Sequence, residues 1–480
     1  MTKKSATILS ALLTVLMLAP VAAIRAQGVD PNSSDSDSER SIAPSVVEDI
    51  SIETFTPLGD WNDAGTLHTA RSRTGMAFSP RTERFYVLGG EASGGNRDIP
   101  IEEYNPNTNS WRERASLLTG VSNTGAAAVR KFIYVPGGWN GIESVTHMQR
   151  YNPVTNNVVY VAPLLAANSA HAVVARGTRV HVLGGSSTGM EGTTHLVYNT
   201  KTNTWSERES LPVAVQYPAA ASDGKFVYVL GGNTTDLTTV QRYNPATNQW
   251  TVALAPMDQG RGGPGAFFDG TNIWAIGGGW ATYHTSTESY HPASDVWSDG
   301  PTMDTGARTL GVAFGNHLAV KAGGWNGGYL ATAERLEFVF HQPDGRIKAP
   351  RSRFRGDDIY NRTGKRQIGK TGAARGTTKT FRIKLQNDGN VPDQFRVKGG
   401  RGNAAFGVVY LEGTRNITKR VVAGRFRTRV LQPGRTQLIK LKVTVLAGAS
   451  VGTVRTWKIL ARSGEDGSAR DAVKARVRVI

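Results

Sequence analysis

Cysteine is absent from the 480 residues of this chain. The absence excludes a disulfide framework, so stability must come from packing. A chain of this length can bury a large hydrophobic core. No His-Glu-x-x-His motif, no close cluster of histidine and aspartate and no phosphate-binding loop occurs either, and the nine histidines are scattered.

Long apolar runs are equally scarce. The longest, ILSALLTVLMLAPVAA, follows two lysines near the first residue and ends among small residues. This order is typical of a secretory signal peptide, and the run is short for a membrane span. We predict a signal peptide over residues 1–26, a disordered spacer rich in serine and aspartate over 27–50, and no transmembrane segment. The protein is therefore expected to be secreted or on the cell surface, with the periplasm as an alternative.

A pair of glycines recurs six times, at steps of 46 to 48 residues. Each pair closes a short apolar run, such as FYVLGG or VYVLGG, with the composition of a buried strand. A fixed period of this size indicates one supersecondary unit stacked many times. The pairs are Gly89-Gly90, Gly137-Gly138, Gly184-Gly185, Gly231-Gly232, Gly277-Gly278 and Gly323-Gly324.

More of the unit repeats downstream of each pair. A tyrosine follows the first five pairs, and an aromatic or apolar residue stands seven positions later, as in YNPNTNSW and YNPATNQW. Asparagine-proline and threonine-asparagine favour tight turns, so each stretch is predicted to be strand, turn, strand.

These three spaced features together resemble the kelch repeat, over about residues 55–340. The resemblance implies a β-propeller with one four-stranded blade per repeat, and six glycine pairs imply six blades. The sixth unit lacks its tryptophan strand, while Trp61 stands before the first glycine pair. We therefore expect the N-terminal strand to complete the last blade of a propeller over residues 51–341.

Beyond the propeller the composition changes. Residues 342–356 are polar, basic and proline-containing, and are predicted to be a linker. Residues 357–480 contain short strands that alternate apolar and basic residues, such as LIKLKVTV, separated by turn signals. This pattern predicts a basic antiparallel β-sandwich and loosely resembles the immunoglobulin-like accessory modules of exported bacterial proteins. The fold class is thus all-β.

The net positive charge is confined to the C-terminal part. Residues 342–480 contain 32 lysines and arginines against 9 acidic residues, a net of +23, whereas the remainder contains 24 against 29, a net of −5. A basic solvent face attracts polyanions, and for an exported protein these would be anionic envelope or matrix polymers. The alternative is a face that is basic only for solubility.

Candidate ligand residues lie in the loops beside the inner strands of the propeller. Tryptophan offers a flat apolar face, and nearby asparagine and arginine fix orientation, which suits a glycan or a peptide. The alternative is that the tryptophans pack against neighbouring blades and the arginines pair with carboxylates. The candidates are Trp139, Asn140, Trp280, Trp325, Asn326, Arg73, Arg261 and Arg308.

No catalytic residue, metal ligand or cofactor is predicted. The copper radical oxidases on the kelch scaffold use a tyrosine cross-linked to a cysteine, which cannot form here. We therefore predict a non-catalytic binding protein, with a protein or glycan partner on the propeller loops and an anionic polymer on the basic domain.

Two alternatives stay open. The layout also resembles the bacterial sialic-acid mutarotases, for which Arg73, Arg261 or Arg308 could hold a carboxylate and Glu91 could serve as base. A purely architectural envelope protein, without a small ligand, is the third hypothesis.

Overall fold

A computed structural model describes residues 56–480 of the chain. The predicted signal peptide (1–26) and spacer (27–50) lie outside these residues. The described part is all-β, as predicted, with one short helix, α1 (Thr418–Val422), and a single 3-10 turn at Ser93–Gly95. Within residues 56–480 no helix has the length and apolar character needed to cross a membrane.

The first part of the chain folds into antiparallel four-stranded sheets, which are the blades of the propeller. The strand β1 (Asn62–Thr66) comes first. The first three blades contain β2 (Gly75–Ser79), β3 (Arg84–Leu88), β4 (Pro100–Asn105) and β5 (Ser110–Ser116); β6 (Ala127–Val129), β7 (Phe132–Pro136), β8 (Met148–Asn152) and β9 (Asn157–Val161); and β10 (Ala172–Arg176), β11 (Arg179–Leu183), β12 (His195–Asn199) and β13 (Thr204–Glu207).

The next three blades repeat this order, but the outer strand of the last blade comes from the N-terminal end of the propeller. They contain β14 (Ala219–Ser222), β15 (Val227–Leu230), β16 (Val240–Asn244) and β17 (Gln249–Thr251); β18 (Gly265–Phe268), β19 (Ile273–Ile276), β20 (Thr287–His291) and β21 (Val296–Asp299); and β22 (Gly311–Gly315), β23 (Leu318–Ala322) and β24 (Thr332–Glu337). Strand β1 pairs with β24, which makes the sixth blade four-stranded. The structure thus confirms the prediction that an N-terminal strand completes the last blade.

In the first, third and fourth blades the tyrosine, asparagine and tryptophan of the repeat join the blade to the one before it in the ring. The second blade has Val158 at the tryptophan position and the fifth has Asp295 at the asparagine position. In the fourth blade the Tyr243 hydroxyl donates to Asn248 Oδ1 at 2.7 Å, and the Trp250 indole donates to the carbonyl of Glu209, in the preceding blade, at 2.8 Å. Asn248 also accepts a hydrogen bond from the backbone N–H of Glu209. The motif is therefore a latch between blades, which explains why its three residue types recur together.

Small residues at the starts of the inner strands are required by close packing at the axis. A β-carbon on Gly75 would lie 2.6 Å from the backbone nitrogen of Ala126, and one on Gly125 would lie 2.8 Å from Val173 Cβ. Real β-carbons do not approach backbone or neighbouring β-carbons this closely, so these two positions require glycine. The inner strands of the third and fourth blades begin with Ala172 and Ala219 and meet without glycine.

The second part of the chain forms two five-stranded sheets that share one apolar core. The first sheet has the order β25-β27-β32-β29-β30 and the second has the order β26-β34-β33-β28-β31. The strands are β25 (Pro343–Lys348), β26 (Ile368–Ala373), β27 (Thr378–Asn387), β28 (Arg396–Gly399), β29 (Phe406–Glu412), β30 (Arg415–Asn416), β31 (Phe426–Arg427), β32 (Thr436–Val445), β33 (Val454–Arg462) and β34 (Arg470–Val479).

Two details of this sandwich differ from the sequence prediction. Strand β25 lies inside the predicted linker, 342–356, and pairs with β27, so the linker prediction was wrong for these residues. The buried carboxylate of Asp471 accepts the backbone N–H of Gly345 at 2.7 Å, a partner that the polar sequence PDGRIK does not reveal. Strands β26 and β34 are parallel, whereas the other pairs are antiparallel. The immunoglobulin-like resemblance stays a prediction.

Candidate functional site

Six equivalent residues, one in each blade, form a closed ring of backbone hydrogen bonds around the axis. All six have a left-handed backbone, with φ between 52° and 64°. Each N–H donates to the carbonyl of the residue before it in the ring, at 2.6 to 3.0 Å. We call this ring the collar; its members are Arg73, Asn123, Ala170, Tyr217, Gly263 and Thr309.

The collar stands at the start of the inner strands, where the central channel opens. The channel is a cavity of about 360 Å³ whose wall is built largely from glycine, alanine and valine of the inner strands. A cavity lined by small side chains, with a few polar groups at one mouth, is a common form of small-ligand site. The side chains at this mouth therefore decide what the channel can accept.

Four side chains converge at the collar mouth. The Tyr217 and Trp280 rings lie 5.1 Å apart, and the Arg308 guanidinium lies 4.1 Å from the centre of the Trp280 ring. Burial raises the pKa of Tyr217, while Arg73 beside it, and more weakly Arg308, act to lower it. Burial also disfavours the charged form of Arg308 and so lowers its pKa. The mouth thus combines two aromatic rings with two guanidinium groups.

Arg308 has an unusual electrostatic environment. It donates to the carbonyl of Trp280, and the Tyr283 ring also lies 5.5 Å from its guanidinium. Among residues 56–480 no carboxylate lies within ion-pair distance of it. Against the larger effect of burial, the carboxylate of Asp236 acts on Arg308 from beyond that distance to raise its pKa. A partly buried guanidinium without an ion-pair partner can accept an acid group of a ligand as a partner.

Glu91 lies at the same mouth, but its oxygens are already engaged. Arg97 forms an ion pair with one oxygen. Arg73, at 3.3 Å, and the Tyr329 hydroxyl, at 2.6 Å, contact the other. Glu91 therefore orients the two arginines around the collar.

Arg261 is not at the mouth. Its side chain is fully buried and pairs with Glu288 on β20 of its own blade at 2.6 Å, and burial lowers its pKa. Arg71 pairs with Glu102 in the same way in the first blade. Arg261 is therefore a structural residue, and its candidacy as a ligand residue was wrong.

The other blades show what replaces this ion pair. Where the second and fourth blades have valine at the arginine position, Val121 and Val215, they have glutamine at the glutamate position, Gln149 and Gln241. Each glutamine accepts and donates one hydrogen bond with a single backbone residue, Thr119 or Val213. Four of the six blades thus use one of two alternative pairs at these positions. The third blade has Asn168 and Leu196 there, and the sixth has Ala307 with Glu334, which pairs with Lys321 instead.

The candidate tryptophans lie on the collar side and are half-buried. Trp139 pairs by its backbone with Ser122, and Trp325 pairs with Arg308, so both adjoin residues next to the collar. Trp325 packs edge-on against Tyr329 at 5.0 Å. The backbones of both tryptophans therefore lie next to the collar, on the side where Trp280 stands.

The two candidate asparagines have different roles. Asn140 Oδ1 accepts the backbone N–H groups of Ile142 and Glu143, so this side chain shapes its own loop. Asn326 is exposed.

Sequence reasoning missed Arg97, Tyr283 and Tyr329. Each occurs in a single blade, in a loop of irregular length, so no periodic signal marks it. Among the described residues no three histidine, aspartate or glutamate side chains are grouped to hold a metal ion.

Sequence comparisons with known proteins agree with the repeat structure. Residues 216–253 and 260–304 match the family model for the Kelch motif. "Kelch-like protein 31" of Danio rerio is 48% identical over 59 residues, which are 12% of this chain and 9% of that protein's length. The solved "Structure of YjhT" superposes with a TM-score of 0.48 at 15% identity, over 57% of this chain and 96% of that one. With its matched motifs, and with glycine pairs that recur in all six blades, this chain contains kelch repeats.

Proposed function

We propose that this chain is an exported, non-catalytic binding protein whose propeller takes a ligand bearing an acid group at the collar mouth. The observation that carries the proposal is the convergence of Arg73, Tyr217, Trp280 and Arg308 beside the channel. The ligand would be an acidic glycan or an acidic peptide segment. The second domain, with its net charge of +23, would attach the molecule to anionic envelope or matrix polymers.

The chemistry of the mouth supports this ligand class. A carboxylate would pair with Arg308, whose position on Trp280 is fixed in advance by stacking and by its hydrogen bond. Preorganisation lowers the entropy that binding must overcome. The half-buried rings of Trp139 and Trp325 would cover the apolar faces of the ligand.

The experiment is calorimetric titration of the full chain with neutral sugars, acidic sugars and acidic peptides. Arg308→Gln should weaken binding of the acidic ligand about 10- to 100-fold, because a charge-assisted hydrogen bond contributes about 1.5–3 kcal/mol. The matched control is Arg81→Gln, an exposed arginine at the opposite end of β2. Equal affinity of neutral and acidic ligands, or equal loss in both variants, would overturn the proposal.

A sugar mutarotase is the second candidate. In its favour, an arginine, a carboxylate and a phenol meet at one mouth, in Arg73, Glu91 and Tyr329. Against it, the groups that contact Glu91 occupy the oxygens that a base would need. Faster equilibration of an acidic sugar's anomers with the wild-type chain, and its loss in Glu91→Gln, would favour the enzyme. Salt-sensitive attachment without any ligand for the mouth would favour an architectural protein.

A further inference from the structure

Four arginines stand directly opposite one another across the second sheet of the sandwich. The strand register pairs Arg427 with Arg396, Arg396 with Arg462, and Arg462 with Arg470, on the adjacent strands β31, β28, β33 and β34. Directly opposite residues share one face of a sheet, and neighbouring strands lie about 4.8 Å apart. We call this row the arginine ladder.

The ladder is not neutralised within the described chain. Arg427 donates to Gln394 Oε1 and Arg470 donates to the carbonyl of Gly467. The side chains of Arg396 and Arg462 have no ion-pair or hydrogen-bond partner among residues 56–480. Like charges directly opposite one another destabilise a sheet. A row that opposes folding and has no carboxylate ion-paired with it among residues 56–480 is the arrangement expected of a surface whose counterion is outside the chain.

The rest of this face has the same sign. The strands of the second sheet contain one acidic residue, Asp471, which is buried and accepts backbone hydrogen bonds from Gly345 and Asn361. Their outward positions carry ten basic residues: Lys370, Arg396, Lys398, Arg427, Lys458, Arg462, Arg470, Lys474, Arg476 and Arg478.

The first sheet has a shorter row, but it is partly covered. Lys348, Arg382 and Lys440 are paired across β25, β27 and β32. The Phe354 ring lies 6.0 Å from the ammonium of Lys348, and Arg346 on the same strand is paired with Asp344 and Asp357. The second sheet therefore presents the longer and more open positive row.

We propose that the arginine-ladder face binds a linear acidic polysaccharide that carries a carboxylate or sulfate on successive sugar units. The inference deepens the attachment role proposed above and rests on it. The planar guanidinium pairs with such oxyanions through two parallel hydrogen bonds. A row of such groups, one per strand, matches a polymer with one acid group per sugar unit.

The face favours a polysaccharide over a nucleic acid. Single-stranded nucleic acids are held by a positive groove together with aromatic rings on which the bases stack. The outward residues between the cations are aliphatic or hydroxylic, at Ile368, Val454, Thr456 and Leu460, and Trp457 is buried. The face thus offers charge without a stacking surface.

The test compares two variants of the full chain with the same change in charge. The first is Arg396→Thr/Arg427→Thr/Arg462→Thr, and the matched control is Lys348→Thr/Arg382→Thr/Lys440→Thr; threonine suits strands. The probes are immobilised polygalacturonate, heparin, neutral dextran and double-stranded DNA, over a salt series. We expect the ladder variant to bind the two acidic polysaccharides at least tenfold more weakly, and the control to bind them within threefold of the wild type.

The outcomes distinguish binding at the arginine ladder from attachment by the domain as a whole. Equal loss in both triple variants would overturn the ladder and leave attachment by overall charge intact. No wild-type binding to any polyanion would overturn the ladder and the attachment role together. Tighter wild-type binding to DNA than to both polysaccharides would overturn the ligand class.

A conservative variant guards against misfolding. Arg396→Lys/Arg462→Lys keeps the charge but removes the planar fork, and should bind the acidic polysaccharides more weakly than the wild type. Binding unchanged in this variant would contradict recognition by the guanidinium groups. Removal of the repulsion should also leave the threonine ladder variant at least as resistant to urea as the wild type.

Discussion

Exchange of one buried ion pair for its counterpart in another blade is the sharpest test of the repeat structure. Arg261 in the fifth blade donates to Glu288 Oε1 through both Nε, at 2.9 Å, and Nη2, at 2.6 Å. The second and fourth blades have a valine and a glutamine at these two positions. We therefore expect Arg261→Val and Glu288→Gln to be damaging singly and compatible together.

The magnitudes follow from what each change leaves buried. Arg261→Val leaves a carboxylate that is 2% exposed without its counterion, and breaking a buried pair in this way costs about 3–5 kcal/mol. Glu288→Gln leaves Arg261 buried without a counterion and should cost a similar amount. In the double variant the glutamine oxygen can keep the hydrogen bond from the Asp258 N–H, which Glu288 accepts at 2.8 Å.

The double variant should therefore unfold within about 1 kcal/mol of the wild type, because replacing a buried pair by matched neutral residues is often close to neutral. The residual cost comes from the carbonyls of Gly277 and Ser286, which lose the donors of Arg261. Urea denaturation followed by tryptophan fluorescence measures all four proteins, with Trp274 and Trp297 in the affected blade. A double variant as unstable as Arg261→Val would refute the equivalence of the two solutions.

Two further predictions concern the propeller. Trp61→Ala, at a 3% exposed side chain in the blade closed by the N-terminal strand, should lower the free energy of unfolding by about 3–5 kcal/mol in urea denaturation, and no loss would contradict closure by β1. Burial lowers the pKa of His181 to about 3 and that of His195 to about 4, below the unfolded value of 6.5. Between pH 6.5 and 4 the unfolded chain therefore binds protons that the folded propeller does not, and its stability should fall on acidification by about 1.4 kcal/mol per pH unit for each histidine. Denaturation at pH 7 and pH 5 measures this loss, and an equal pH slope in His181→Gln/His195→Gln would contradict it.

The blade count could be predicted from sequence because glycine is required for a local reason. Gly231 and Gly232 have φ of 58° and 110°, and a β-carbon on Gly231 would lie 2.4 Å from the carbonyl of Arg261. Because no other residue fits this backbone, the glycine pair recurs in every repeat. The closing strand was predictable because the sixth repeat lacks its tryptophan strand and Trp61 precedes the first repeat. The strand that follows Trp61 supplies the missing one.

The roles of individual loop residues could not be predicted in the same way. Arg71 and Arg73 are two positions apart, yet the first is buried against Glu102 while the second reaches the collar mouth. The difference depends on a glutamate about 30 positions away in the chain, on a different strand. Strand β25 was missed for a similar reason, since its buried Asp344 and Gly345 look like turn residues in the sequence.

The collar separates the framework of this propeller from its selectivity. Its six backbone N–H groups all donate within the ring, so the collar offers a molecule at the mouth no free backbone donor, and selectivity falls to the side chains. Within this chain the same left-handed position already accepts arginine, asparagine, alanine, tyrosine, glycine and threonine. A new ligand could therefore be accommodated by exchanging these side chains while the hydrogen-bonded ring stays unchanged, which makes the collar a natural starting point for redesigning what the propeller binds.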